Sequence, residues 1–177
     1  MQATASSADD AGFTLLELMI VIGIVSVLAA LTVPGLLRAR TTANEVSAIG
    51  SLRVTAAAQK AYAATCGEGY YASAYPMLGA AGPAGAPAFI SDDLGQSPNP
   101  VKSGYAFALG PGLNASPGPN DCNGNATVTG YYASAEPQGA VWTGTRAFAT
   151  SGRSVIWEIT GGTAPTEPFG APASPID

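Results

Sequence analysis

The chain has 177 residues, 7 Lys+Arg against 12 Asp+Glu, a formal charge of −5, two cysteines and no histidine. Without histidine there is no Ser-His-Asp or Cys-His nucleophilic site, no His-ligated metal and no imidazole pH switch, and without a Lys/Arg cluster there is no electrostatic footprint for nucleic acid. The length allows one compact domain plus an appendage.

Met1–Gly12 reads MQATASSADDAG, polar, with Asp9 and Asp10 and no cation. From Phe13 to Leu37 the sequence FTLLELMIVIGIVSVLAALTVPGLL carries a single charged side chain, Glu17. At ~1.5 Å rise per residue, the uncharged run Leu18–Leu37 spans the ~30 Å hydrocarbon core of a bilayer. The run is too long for the apolar region of a cleaved secretory signal, and no small-x-small site ends it, so it is read as a retained transmembrane helix. The alternative, a buried helix of a soluble domain, sits badly with the lack of a polar face.

An ionised carboxylate in lipid costs ~2.5–3.5 kcal/mol at the helix centre and less near an end, so Glu17 calls for a partner or a task. No Lys or Arg lies within helical reach. A cut between Gly12 and Phe13 would create one, because a new α-amino group, with a reference pKa of ~7.7–8.0, is a cation at the helix N-terminus. Pairing that amine with Glu17 of a neighbouring copy builds a polymer.

These residues, Gly12-Phe13-Thr14-Leu15-Leu16-Glu17 followed by the apolar run containing Pro34, resemble the processing and assembly signature of type IV prepilins and type II secretion pseudopilins. The resemblance is close over Gly12–Leu37 and looser along the rest of the first helix. It implies that a membrane-embedded prepilin peptidase cuts after Gly12 and methylates Phe13, and that Glu17 sets subunit register in a filament. It departs from the usual pattern in the acidic leader. The nearest cations, Arg38 and Arg40, would by the positive-inside rule place the following domain in the cytoplasm, whereas the more specific Gly-Phe-x-x-x-Glu signal implies an exported head.

Pro34 lacks an amide proton and Gly35 adds flexibility, so a bend or local melting of the helix is expected there. Arg38–Ala64 continues with helix formers. A row at Val46, Ile49, Leu52, Ala56 and Ala63, opposite Glu45, Ser51 and Lys60, predicts the face that packs on the head, with a solvated spacer as the alternative. The helix is expected to end at Cys66-Gly67. From Gly67 onward the chain holds 18 Gly and 13 Pro with three Lys/Arg, which demands turns and short strands in place of long helices. Segment 67–103 reads as mostly loop. Strands are expected at Tyr105–Leu109, Thr127–Ala133, Arg146–Thr150 and Arg153–Ile159, the last two joined through a two-residue turn at Ser151-Gly152.

The predicted organisation is thus a leader (1–12), a transmembrane or filament-core helix (13–37), its amphipathic continuation (38–65), and a Gly/Pro-rich head (66–177) with an irregular C-terminal tail. The fold class is α+β and pilin-like, a long N-terminal helix packed against a small antiparallel sheet. Cys66 and Cys122, in a chain read as exported, are expected to form a disulfide contributing ~3–4 kcal/mol by loop-closure entropy, with two buried thiols as the alternative.

GYYASAYP at Gly69–Pro76 returns as GYYASAEP at Gly130–Pro137. The tyrosines serve either as packing rings at strand entries or as a paired surface for a partner. Asp121-x-Asn123-x-Asn125 opens like a calcium loop, but Ala126 and Tyr132 stand where glycine and a bidentate glutamate belong. Asp121, Asn123 and Asn125, with Asp92 and Asp93, are therefore weak calcium candidates beside a polar turn, and no other cofactor is expected. Asn125-Ala126-Thr127 fits a glycosylation sequon, a pattern frequent by chance.

The leading functional expectation is a structural subunit of a type IV pilus-like filament. It would be anchored in the bacterial inner membrane with a periplasmic head, then polymerised into a cell-surface or periplasm-spanning filament. Its partners would be further copies or other pilins, the prepilin peptidase, the pilus or secretion assembly machinery and the inner membrane, with no nucleic acid. A type II secretion pseudopilin or minor pilin is the near alternative. A signal-anchored periplasmic enzyme or binding module is the distant one, since the candidate groups, scattered acids and Lys102, make no acid pair on one helix face.

Overall fold

The computed structural model describes residues 12–139 and 142–176; the leader up to residue 11 lies outside the described residues. Helix α1 covers Leu15–Thr65. The chain divides into two units, Met1–Arg38 and Ala39–Asp177.

In the first unit every described residue is solvent-exposed in the isolated chain. The helix satisfies its own hydroxyls: Ser26 Oγ donates to the Ile22 carbonyl (2.6 Å) and Thr32 Oγ1 to the Leu28 carbonyl (2.7 Å). These two hydroxyls therefore need no water, as a lipid setting requires. The helix continues through Pro34 and Gly35, so the local melting expected there does not occur.

The second unit sets the remainder of α1 against a six-stranded antiparallel sheet. Its strands are β1 (Val101–Lys102), β2 (Tyr105–Pro111), β5 (Tyr131–Pro137), β6 (Arg146–Ser151), β7 (Ile156–Thr160) and β8 (Ser174–Ile176), in that spatial order. Between β2 and β5 the chain detours through a hairpin of β3 (Pro117–Asn120) and β4 (Ala126–Val128). Before β1 lie two short helices, α2 (Tyr75–Gly79) and α3 (Asp92–Gly95), in a segment otherwise loop, as its Gly/Pro content requires. They cross with their backbones in contact: a Cβ on Gly79 would stand 2.4 Å from the Gly95 carbonyl oxygen.

The core lies between α1 and one face of the sheet, filled by Leu52, Tyr62, Tyr75, Leu78, Leu94, Tyr105, Phe107, Tyr131 and Phe148. Pairs such as Phe107↔Ala135 and Ala135↔Phe148 set a small residue between two large ones across neighbouring strands. Alanines at 133 and 135 leave room for the rings that fill the space under α1. The opposite face carries a smaller cluster of Ala147, Ala149 and Ala164 with Tyr132, Ile159 and Phe169, because the chain after β7 folds back over it. There Ala164 N–H donates to Glu136 Oε1 (2.8 Å) and Tyr132 OH to the Pro165 carbonyl (2.8 Å).

Three expectations need correction. The run Thr127–Ala133 is two strands, because Thr129-Gly130 turns the chain out of the hairpin and into the main sheet. The β6–β7 connection is Gly152–Val155, four residues and not two, closed by Ser154 N–H donating to the Ser151 carbonyl (2.7 Å) with Ser154 at φ +60°. The C-terminal segment, read as irregular, ends in the edge strand β8.

The packing face expected for α1 is corrected in part. Val46 is 62% exposed, while Glu45 and Ser51, assigned to the outward face, are buried together with Ala48, Leu52, Thr55, Ala56, Ala58, Gln59 and Tyr62. Of the predicted row, Leu52 and Ala56 are buried, Ile49 and Ala63 are half-buried and Lys60 is exposed as expected, so apolar periodicity found most of the seated face and missed its four polar members, Glu45, Ser51, Thr55 and Gln59.

Candidate functional site

At the start of α1, Gly12 and Phe13 precede the helix and are exposed. Thr14 and Glu17 form a reciprocal pair: Thr14 N–H and Oγ1 donate to Glu17 Oε2 (3.2 and 3.0 Å), and Glu17 N–H donates to Thr14 Oγ1 (3.2 Å). This is a capping box, which satisfies two of the backbone donors a helix start leaves open and sets a carboxylate against the positive end of the helix dipole. The Thr-x-x-Glu spacing at Thr14 and Glu17 is the sequence signal of this cap, beside the charge of Glu17 that the sequence reading used. Both donors from Thr14 fall on Oε2. Among the described residues Oε1 has no hydrogen-bond partner.

The second half of α1 is held to the head by polar contacts at three levels. Nearest Ala39, Glu45 reaches β6 with both carboxylate oxygens. Oε1 accepts the Thr145 and Arg146 backbone N–H groups (2.8 and 3.2 Å) and the Thr145 hydroxyl (3.0 Å), and Oε2 accepts Arg146 Nε and Nη2 (3.0 and 2.8 Å). Arg146 also donates from Nη1 to Glu158 on β7 (2.5 Å) and lies 5.5 Å from the Phe148 ring centroid. Burial by itself raises the Glu45 pKa, but the Thr145 and Arg146 donors outweigh it and hold the carboxyl below its ordinary value. Beside it Asn44 Nδ2 donates to the Thr143 carbonyl (3.0 Å), and Tyr105 OH donates to the Arg146 carbonyl (2.7 Å). Gly144 has to be glycine here, since a Cβ would stand 1.9 Å from that tyrosine oxygen.

In the middle, Gln59 pairs with Ala72 as a strand neighbour would: Nε2 donates to the Ala72 carbonyl (2.8 Å) and Oε1 accepts its N–H (2.9 Å). Thr55 Oγ1 shares a hydrogen bond with Tyr75 OH (3.2 Å), and burial pushes the Tyr75 phenol up to about 12.

At the far end, Tyr62 OH donates to Asp121 Oδ2 (2.6 Å), Cys122 N–H donates to the Cys66 carbonyl (2.9 Å), and a Cys66–Cys122 disulfide joins the same two segments with the Cα atoms 4.9 Å apart. The expected pairing of the cysteines is thus present. Asp121 Oδ1 meanwhile accepts the Asn123 and Asn125 backbone N–H groups (2.9 and 2.7 Å), which builds the turn between β3 and β4. Burial raises the Asp121 pKa, but these donors and Tyr62 prevail and lower it.

At the weak calcium candidates, Asn123 Nδ2 donates to the Ala81 carbonyl (3.2 Å) and Asn125 Nδ2 to Asp121 Oδ2 (3.2 Å). Asp93 pairs with Lys102 (2.7 Å). Among the described residues no group of three or more His, Cys, Asp or Glu side chains is placed to hold a metal ion. The repeated octapeptide takes two conformations. Its first copy makes a lone bridge from Tyr71 to Val128 and opens α2 at Tyr75, while its second forms β5. Their tyrosines meet inside the molecule, with the Tyr71 and Tyr131 rings 5.1 Å apart, so this pair packs the head.

The features that remain for function are an apolar helix with no cover of its own and a capped, half-used glutamate at its start. This arrangement is pilin-like: a long N-terminal apolar helix on an α+β head. Residues 8–33 match the prokaryotic N-terminal methylation motif, the signature of type IV pilins and pseudopilins. No curated protein and no solved structure matches the chain. The motif marks structural proteins processed by a prepilin peptidase, and with the apolar helix it is consistent with membrane anchoring.

Proposed function

We propose that the chain is a structural, non-enzymatic subunit of a type IV pilus-like filament. It is held in the inner membrane by residues 13–37 with the head in the periplasm, and after cleavage it polymerises through the same helix. The observation that carries this reading is the complete exposure of that apolar segment in the isolated chain, while the head has a core of its own. Some 25 apolar residues cannot face water, so they require lipid before assembly and equivalent helices afterwards. Gly12 and Phe13 are the processing pair. Glu17 serves twice: through Oε2 it caps its own helix, and Oε1 takes the Phe13 amine of an adjacent subunit. N-methylation leaves that amine cationic, so the pairing survives it. A pilus subunit is preferred to a pseudopilin of the major, calcium-binding kind because the sequence carries no C-terminal calcium-binding motif of that type.

Intact-mass and N-terminal peptide analysis of assembled filaments tests the proposal. The expected subunit begins at methylated Phe13, has 165 residues and carries a formal charge of −3, since Asp9 and Asp10 leave with the leader. Filaments that retain residues 1–12 would overturn it.

A further inference from the structure

A cleft of about 390 Å³ opens on the sheet face turned away from α1, lined by Leu113, Ser151, Arg153, Val155, Trp157, Glu167, Pro168 and Phe169. Three separate segments converge on it: the turn after β2, the β6–β7 connection and the chain returning from β7 to β8. Each is fixed locally. Leu113 N–H donates to Glu167 Oε2 (2.6 Å), which ties the first segment to the third. Phe169 stacks on Trp157 (13° between planes, centroids 5.5 Å apart) and Tyr132 stacks behind Phe169 (26°, 6.2 Å), forming an aromatic platform. The β6–β7 wall holds Ser154 in the left-handed region at φ +60°, a conformation that costs a serine energy and is kept only where the surroundings enforce it.

What distinguishes this cleft is its stock of unspent polar groups. The Arg153 guanidinium, the Ser151 hydroxyl, the Trp157 indole N–H and Glu167 Oε1 have no hydrogen-bond partner among the described residues, and Arg153 makes no ion pair with Glu167 although both line the cleft. The cations on the sheet strands, Lys102 and Arg146, are by contrast each committed to carboxylates. The open groups are thus a planar aromatic face, several donors and one acceptor, with opposite charges that nearly cancel.

We infer that this cleft is a saccharide-binding site, taking one pyranose ring against Trp157 with its hydroxyls shared between Arg153, Ser151 and Glu167. A pyranose presents an electropositive C–H face that suits the negative face of an indole, and hydroxyls that donate and accept at once. A simple anion would be drawn by Arg153 and repelled by Glu167, and an apolar ligand would leave four polar groups stranded without water. The cleft lies wholly within residues 113–169, outside the methylation motif, so the inference stands or falls independently of the filament reading.

The test uses full-length protein in lauryldimethylamine oxide micelles, a detergent without a sugar headgroup. Trp142→Phe leaves Trp157 as the sole indole reporter. Methyl β-glucopyranoside, methyl β-galactopyranoside and methyl N-acetyl-β-glucosaminide are titrated separately, with sodium acetate as the anion arm. At least one pyranoside is expected to give a saturable change in Trp157 emission at ~1–10 mM, as a small cleft with few contacts allows. Arg153→Ala, an exposed and unpaired position that the fold tolerates, is expected to weaken this at least ~10-fold with an unchanged circular dichroism spectrum. No response to any pyranoside overturns the inference. So does a response indifferent to Arg153→Ala, which places the sugar elsewhere, or one matched by acetate, which makes the cleft an anion site.

Discussion

The two halves of α1 are one helix by hydrogen bonding and opposites by chemistry. Residues 13–37 carry one charged side chain, Glu17, and are exposed in the isolated chain, whereas residues 45–62 bury Glu45, Ser51, Thr55 and Gln59 against the head. On the proposed function, the first half leaves its apolar surface to be covered by lipid or by other copies. The second half is committed by directional bonds to one place on one sheet. A helix that must change surroundings cannot be tied by hydrogen bonds specific to either, and a head that must keep one seat on its helix benefits from them. Non-directional burial gives mobility between partners, and polar pairing gives register.

The largest effect that tests this contrast is on assembly. Glu17→Gln keeps the cap acceptor but loses the charge, so membrane insertion, processing and head stability should be unchanged while filament yield collapses. Stranding a desolvated amine costs ~3–5 kcal/mol. Glu17→Asp should be milder, and added salt should rescue little, because buried pairs are poorly screened. Filaments of normal yield and length from Glu17→Gln would remove the pairing from the mechanism.

Next comes the covalent end of the second half. Replacing Cys66 and Cys122 together by serine should lower head stability by ~3–4 kcal/mol in denaturant titration and leave insertion unaffected. Two free thiols detected without reduction in the native protein would contradict the bond itself.

At the other end, Glu45→Ala strands the Thr145 amide and part of the Arg146 guanidinium. A loss of ~2–4 kcal/mol is expected, reduced from the full cost of a broken buried pair because Arg146 remains partly exposed and keeps Glu158. The same residue sets the acid limb. The folded pKa of Glu45, like that of Asp121, is depressed, so the stability it contributes is present above the ordinary carboxylate value of ~4.3 and is lost as pH falls through the folded value. Wild-type heads should therefore lose stability in that acid window, and Glu45→Ala should flatten the loss. An unchanged slope would mean that other carboxylates carry it.

The smallest effect is the sharpest check on which face of α1 is seated. Val46→Ser should change head stability by no more than ~0.5 kcal/mol, whereas Leu52→Ala, six residues on, should cost ~2–4 kcal/mol. Comparable losses at the two positions would mean that α1 is turned about its axis relative to the arrangement described here.

The sequence by itself determined the features that depend on composition and short spacing. The apolar span, the Gly-Phe junction with its glutamate, the change of texture at Cys66, and strands β2 and β6 were all legible, because each rests on a run of side chains whose preference does not depend on distant partners. The capping box was equally legible from Thr14 and Glu17 and needed only a helix start to be recognised. Tertiary structure decided the rest. Glu45 looked like a solvated residue until residues 100 positions away supplied two backbone amides and a guanidinium, and Val46 looked like core until that pairing turned it outward. The two nearly identical octapeptides became a bridge with a helix in one place and a central strand in the other, since Gln59 captures the backbone of Ala72 while β2 and β6 capture that of Ala133. Burial of a polar group is decided by whether a partner awaits it, and the partners here come from parts of the chain that only the folded sheet brings within reach.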